Sequence, residues 1–101
     1  IAQWKATSRY PSTDLDLAFV VPDSVAAEKV DKAIRQAAGA LLVDLGLFDV
    51  FRGASIGAAA RSLAFRLRLQ ALDRTLTEVE VATVRDKVVA VVGKLGGSLR
   101  G

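Results

Sequence analysis

The 101-residue chain contains no cysteine, no histidine and no methionine. Without thiolates and imidazoles, it lacks the usual protein ligands of zinc and of iron–sulfur clusters. The same absences rule out a thiol nucleophile and a Ser-His-Asp triad. We therefore do not expect the chain to be a catalyst of these common kinds on its own.

Long hydrophobic runs are also missing. A membrane-spanning helix needs about 18 consecutive apolar residues, but Pro22 ends the run at 17–21 and two lysines bracket residues 88–93. The chain starts at Ile1 without methionine and without the basic-then-apolar plan of a signal peptide. We expect no membrane partner. We also interpret the chain as a piece of a longer polypeptide, in which residues 1–9 form a linker from a preceding domain.

Aromatic residues are scarce, at 6% of the chain, whereas 51% of the residues are hydrophobic and 25% are charged. This composition is typical of one compact globular domain, which we place at residues 10–101. The net charge of +3 is unevenly distributed. Residues 1–50 carry five basic and seven acidic side chains, and residues 51–101 carry nine basic and four acidic ones. A basic second half fits an anionic partner, but an ordinary solvated surface fits it as well.

Hydrophobic periodicity predicts the secondary structure of the first half. Apolar residues alternate with polar or small ones over residues 14–21, which is typical of a half-buried strand ended by Pro22. The period then changes to that of a helix over about 26–38, with Ser24 as the predicted N-cap and Gly39 as the stop.

The second half is predicted to hold two long strands, a second helix and a short final strand. Thr77, with Glu80 three residues later, is the capping box that opens the second helix, and Gly96-Gly97 ends it. Gly46 is the expected position of a bulge or bend in the strand that contains it. The predicted strands span residues 42–52, 62–70 and 98–100.

The resulting order, β-α-β-β-α-β, predicts the ferredoxin-like α+β architecture. With right-handed crossovers, this order gives a four-stranded antiparallel sheet with both helices on one face. Alternation then assigns each strand residue to the helix-covered face or to the open face. The predicted covered face carries Leu15, Leu17, Phe19, Phe48, Val50, Leu63, Phe65 and Leu67. The predicted open face carries Asp14, Asp16, Ala18, Leu47, Asp49, Phe51, Ser62, Ala64, Arg66, Arg68, Ser98 and Arg100.

The open face combines one aromatic ring with small residues, carboxylates and guanidinium groups. An exposed aromatic on a sheet can stack on an unpaired base, and arginine can contact phosphate or stack as well. The alternative is that Phe51 only covers the sheet backbone, while Arg66 and Arg68 form cross-strand ion pairs with Asp14 and Asp16. Two carboxylates on one strand without a third ligand do not indicate a metal site.

Five short motifs occur together, in one order, over residues 9–101. In that order and at that spacing, they resemble the ferredoxin-fold anticodon-binding domain at the C-terminal end of bacterial phenylalanyl-tRNA synthetase beta subunits. The motifs are Tyr10-Pro11 before an Asp-Leu-Ala strand, Leu47-Phe-Asp-Val-Phe-Arg-Gly53, Ser62-Leu-Ala-Phe-Arg-Leu67, Asp73-Arg-Thr-Leu-Thr77 with Glu80, and Leu99-Arg100-Gly101.

The resemblance implies a non-catalytic domain of a cytoplasmic ligase. In that family the domain binds the anticodon stem-loop of tRNA(Phe), and phenylalanine is activated with ATP and magnesium on the alpha subunit of an (alpha-beta)2 assembly. No cofactor is implied for the domain itself. The family residues that face the first anticodon base match Asp49, Phe51, Ser62 and Arg100, all of which alternation also places on the open face. Arg66 and Arg68 join them as expected RNA-binding residues.

Three departures from the family pattern concern RNA contacts. The aromatic is often tyrosine in relatives, so Phe51 keeps the stacking surface and loses a hydroxyl. Asp14-Leu15 replaces a basic pair, and Ala60-Arg61 replaces a common Lys-Lys. The stacking site therefore transfers to this chain more directly than the phosphate contacts.

Two functions of other classes remain open. One is a regulatory module that binds a small ligand between paired domains, which would need a glycine-rich first turn that Pro22-Asp-Ser24 does not supply. The other is a structural domain whose open sheet docks on another protein. Steeply salt-dependent binding of an anticodon stem-loop would distinguish an RNA-binding domain from these two alternatives.

Overall fold

The sheet and the two helices follow the predicted order. The computed structural model describes residues 10–100, so the predicted linker at 1–9 lies outside the described residues. The strands pair antiparallel in the order β2-β3-β1-β4, which confirms the ferredoxin-like α+β fold. The elements are β1 (Thr13–Pro22), α1 (Ala27–Ala38), a 3-10 turn (Gly39–Leu41), β2 (Leu42–Phe51), β3 (Ala60–Leu69), α2 (Glu78–Lys94) and β4 (Ser98–Leu99).

The two central strands form the most regular part of the sheet. β1 and β3 pair without interruption over ten residues, from Thr13 opposite Leu69 to Pro22 opposite Ala60. Alternate residues of both strands therefore face the helices, where their burial stabilises the fold by about 1.5–3 kcal/mol for each large side chain. The most deeply buried side chains of this core are Phe19, Val21, Val30, Ile34, Leu63, Phe65, Leu67, Leu69, Val88 and Val92.

Of the four helix ends predicted from capping and stop residues, the structure confirms three. The Oγ1 of Thr77 accepts the Glu80 backbone N–H at 3.2 Å, and the Glu80 carboxylate accepts the Thr77 N–H at 3.2 Å, which confirms the capping box. Gly39 ends α1 with a φ of 66°, and α2 stops at Lys94, just before the paired glycines. The predicted Ser24 cap is wrong. Residue 24 lies in the turn after β1, and the extended N-cap position is Ala26, without a side-chain bond.

Strand β2 departs from simple alternation because it contains two bulges. Its pairing with β3 skips one residue between Leu42 and Asp44, and one between Leu47 and Asp49. Gly46, the predicted bulge, pairs regularly opposite Arg66.

The second bulge reverses two predicted orientations. Leu47 lies opposite Phe65 on the helix side, whereas the sequence placed it on the open face. Phe48, predicted to be in the core, is the extra residue of the bulge and is 52% exposed. An inserted residue shifts the alternation by one position, so Asp49 and Phe51 return to the open face as predicted.

Candidate nucleic-acid interface

The open face of the sheet divides into two groups of side chains. At the end where β2 stops and β3 starts lies the aromatic site, which we define as Asp49, Phe51, Ser62 and Arg100. At the other end lies the ion-pair ladder, which we define as the pairs Asp14–Arg68 and Asp16–Arg66. The pairing of β1, β2 and β3 places both groups on the same side of the sheet.

The aromatic site is built around Phe51 and Arg100. Phe51 ends one edge strand of the sheet, and Arg100 directly follows the other edge strand. The backbone N–H of Arg100 donates to the carbonyl of Ala18 at 2.7 Å, which fixes the start of its side chain beside β1. From there the guanidinium carbon reaches a point 4.9 Å from the centre of the Phe51 ring, a cation–π distance. Phe51 is nevertheless 44% exposed, so part of its ring surface faces solvent.

Two hydrogen-bonding groups accompany this ring. Ser62 lies directly opposite Phe51 on β3 and is only 3% exposed, an unusual burial for a serine on an open sheet face. Asp49 lies opposite Ala64, two residues before the ring. Within residues 10–100 the Asp49 carboxylate forms no ion pair, so its oxygens are available to accept hydrogen bonds from a ligand.

The ion-pair ladder engages both arginines that the sequence assigned to RNA. Arg66 donates to Asp16 from Nε at 2.8 Å and from Nη2 at 3.0 Å. Arg68 donates to Asp14 from the same two atoms at 2.9 and 3.3 Å. These hydrogen bonds hold the pKa of each carboxyl below its ordinary value. The cross-strand pairing considered as an alternative is thus present, while RNA contact by the two arginines stays a prediction.

Phe48 adds a second aromatic ring to the open face, which sequence reasoning missed. The guanidinium carbon of Arg66 lies 4.9 Å from the centre of its ring. A cavity of about 200 Å³ adjoins this pair, because Gly46 has no side chain to fill the space opposite Arg66. The exposure of Phe48 could have been predicted only by recognising the bulge in β2. No glycine or proline at that position indicates a bulge.

Arg61 is turned inward rather than towards a ligand. Its side chain is 11% exposed, and its guanidinium donates to the carbonyls of Pro22 and Val25 at 2.7 and 2.8 Å. Arg61 therefore holds the turn after β1 in place. Both of its terminal nitrogens, Nη1 and Nη2, are thus engaged within the protein.

Within residues 10–100, neither helix has the length and apolar character needed to cross a membrane. In the same part of the chain, no three carboxylates gather in a way that would hold a metal ion.

The fold and the open face together define a ferredoxin-like binding domain, with helices on one side and an exposed aromatic, arginine and carboxylate surface on the other. The family described as "Ferredoxin-fold anticodon binding domain" matches residues 8–100. The chain belongs to this family.

Curated relatives are beta subunits of phenylalanine–tRNA ligase. The chain is 44% identical over 101 residues to the beta subunit of Trichormus variabilis, covering 99% of the chain and 12% of that protein. It is 45% identical over 95 residues to that of Thermobifida fusca, covering 93% and 11%. It is 48% identical over 85 residues to that of Cutibacterium acnes, covering 84% and 10%. The chain thus spans about a tenth of the length of these relatives.

Proposed function

We propose that this domain binds the anticodon stem-loop of tRNA(Phe) as part of a phenylalanine–tRNA ligase beta subunit. In that setting it positions the tRNA for aminoacylation on the alpha subunit, within a cytoplasmic (alpha-beta)2 assembly. ATP and magnesium serve the alpha subunit, and the domain contributes binding energy and orientation. The family match and the beta-subunit relatives support this assignment.

The contact between Phe51 and Arg100 is the observation that carries the proposal. A planar ring that is 44% exposed, with a guanidinium 4.9 Å from its centre, offers an unpaired base one stacking surface and one cation. The first anticodon base enters the space that Arg100 now covers and stacks on the ring. Arg100 then lies against the base or an adjacent phosphate.

Base-edge contacts come from the two polar members of the aromatic site. Asp49 accepts hydrogen bonds from the donors of the base, because its carboxylate has no ion pair within the described residues. Ser62 lies on the neighbouring strand opposite Phe51, and its hydroxyl can donate or accept. Because Ser62 is only 3% exposed, the base reaches this hydroxyl only after the neighbouring side chains move aside. The site therefore supplies stacking, an acceptor, a hydroxyl and a positive charge.

The test is Phe51→Ala in the assembled ligase. Loss of one base stack costs about 1–3 kcal/mol, which corresponds to a rise of roughly 5- to 150-fold in KM for tRNA. ATP-dependent activation of phenylalanine should not change, because it takes place on the alpha subunit. Leu72→Ala is the matched control, since Leu72 is another exposed apolar residue, 66% accessible, in the segment after β3. An unchanged KM for tRNA in the Phe51 variant would refute the assignment of the site.

A further inference from the structure

Phe48 is presented on the open face by the geometry of β2 alone. The bulge between Leu47 and Asp49 inserts one residue into the strand and leaves the Phe48 ring 52% exposed. Without this insertion, alternation would turn the ring into the core, as the sequence predicts. A large aromatic exposed by a bulge next to a binding site is a typical way in which strands re-aim a side chain.

Arg66 lies over this ring in a fixed orientation. Its Nε and Nη2 atoms both donate to Asp16, at 2.8 and 3.0 Å, so the guanidinium plane is held by a two-point contact. Its side chain is still 53% exposed. Such a pairing uses donors at the edge of the guanidinium and leaves the flat faces for stacking on an aromatic ring or a base.

The charge around Arg66 favours a base over a phosphate. Arg66 and Arg68 each pair with a carboxylate on β1, and Asp44 lies opposite Arg68 on β2, so this part of the sheet carries two cations and three anions. A phosphate would have to compete with Asp14 and Asp16 for the same donors. An uncharged, planar nucleobase needs no net positive charge, and it can stack on the Phe48 ring and on the Arg66 guanidinium.

The position of Phe48 relative to Phe51 suits a neighbouring nucleotide. The two residues are three positions apart along β2, which corresponds to about 10 Å in a strand. Asp49 lies between them, and the cavity beside Gly46 adjoins the Phe48 ring. Sheets that bind single-stranded RNA commonly stack two or three bases on one face.

We propose that Phe48 and Arg66 form a second stacking site, which binds an unpaired RNA base different from the one stacked on Phe51. This inference rests on the proposed function, because it assumes that the aromatic site binds an RNA loop. The ladder then has a defined role. Asp16 positions Arg66 as a stacking surface, and the phosphate contacts are made elsewhere.

The test is a set of double-mutant cycles between protein and RNA, using the 101-residue chain at low salt. The probe is a labelled tRNA(Phe) anticodon hairpin in which each loop base is removed in turn to leave an abasic site. Phe48→Ala should weaken binding of the intact hairpin by roughly 5-fold or more. It should have little further effect on the one hairpin that already lacks its stacking partner. Phe51→Ala should show the same coupling to a different loop position.

Two conservative variants identify the kind of contact. Phe48→Leu keeps an apolar side chain and removes the planar ring, so it should weaken binding as much as Phe48→Ala. Arg66→Lys keeps the charge and removes the flat guanidinium, so it should also weaken binding. Retained affinity in the leucine variant would mean non-specific apolar packing, and retained affinity in the lysine variant would mean a phosphate contact. Either result overturns the second stacking site.

The outcomes separate this inference from the proposed function. If Phe51 couples to one loop base and Phe48 couples to none, the second site is wrong and the proposed function stands. If Phe48 and Phe51 couple to the same base, there is one stacking position, and the inference is equally wrong. If neither residue affects hairpin binding, both proposals fail.

Discussion

Gly97 packs directly against Val92 at the point where α2 gives way to β4. A β-carbon at position 97 would lie 2.6 Å from Cγ1 of Val92 and 3.2 Å from its carbonyl oxygen. Val92 is fully buried, so it has little room to move. This close approach lets β4 pair with β1 and so brings Arg100, one residue after β4, to the open face.

Gly97→Ala should therefore destabilise the domain and disturb the aromatic site together. Overpacking of a well-packed core typically costs about 1–3 kcal/mol, which urea unfolding measures directly. Displacement of β4 should also move Arg100 from Phe51 and reduce affinity for an anticodon hairpin. Gly93→Ala is the matched control. It lies in α2 with nothing within 4 Å of its added β-carbon, and it should stabilise the helix by up to about 1 kcal/mol. Equal stabilities for the two variants would contradict this account of the packing.

The ion-pair ladder should make stability depend on pH in the acid range. Hydrogen bonds from Arg68 and Arg66 lower the pKa of Asp14 and of Asp16 below the ordinary value of 3.8. The folded state therefore holds protons less readily than the unfolded state. The contribution of the ladder is complete above the ordinary carboxyl pKa and is lost as pH falls through the lowered, folded pKa.

A variant that carries both Asp14→Asn and Asp16→Asn should lose less stability than the wild type between about pH 5 and about pH 3. Urea unfolding midpoints across that interval measure the difference. It should be small, because both pairs are about half exposed to solvent. At about 1 M salt, where the screening length falls to about 3 Å, the two profiles should approach each other. Parallel profiles at low salt would show that the ladder contributes nothing.

How far the sequence predicts this fold differs between strands. In β1 and β3, large apolar residues alternate regularly with polar or smaller ones, and this alternation predicts the face of each side chain. In β2 it does not, because its two bulges fall at Val43 and Phe48, where no glycine or proline marks them. Gly46, the one residue that suggested a bulge, pairs regularly.

For the aromatic site, the sequence predicted which face of the sheet each side chain lies on, but not which side chains touch. Alternation places Phe51 and Arg100 on one side of the sheet, yet their separation depends on the strand order and on the path of the chain after β4. The sequence also did not predict that the Arg61 side chain turns inward. Nothing in the sequence around it indicates that Pro22 and Val25 would present their carbonyls to its guanidinium.

The turn after β1 is tied to the loop between β2 and β3 through Asp23. Its carboxylate accepts a hydrogen bond from Arg52 at 3.1 Å, and its backbone N–H donates to the carbonyl of Ala59 at 2.8 Å. Arg52 and Ala59 flank the loop, so one residue connects both of its ends to the turn. The hydrogen bond from Arg52 lowers the pKa of Asp23, as expected for a carboxylate held in its charged form.

Asp23→Ala should loosen this loop with little effect on global stability, since the backbone hydrogen bond to Ala59 can persist. Amide hydrogen exchange over residues 53–59 should become about two- to fivefold faster, because an exposed ion pair contributes modestly to local closure. Exchange of the central strand amides should not change. Asp73→Ala is the matched control, since it breaks an exposed ion pair with Arg74, at 2.8 Å, in a different loop. If exchange over 53–59 is equal in the two variants, the Asp23 carboxylate does not hold the loop, and Arg61 and the backbone bond alone must account for its closure.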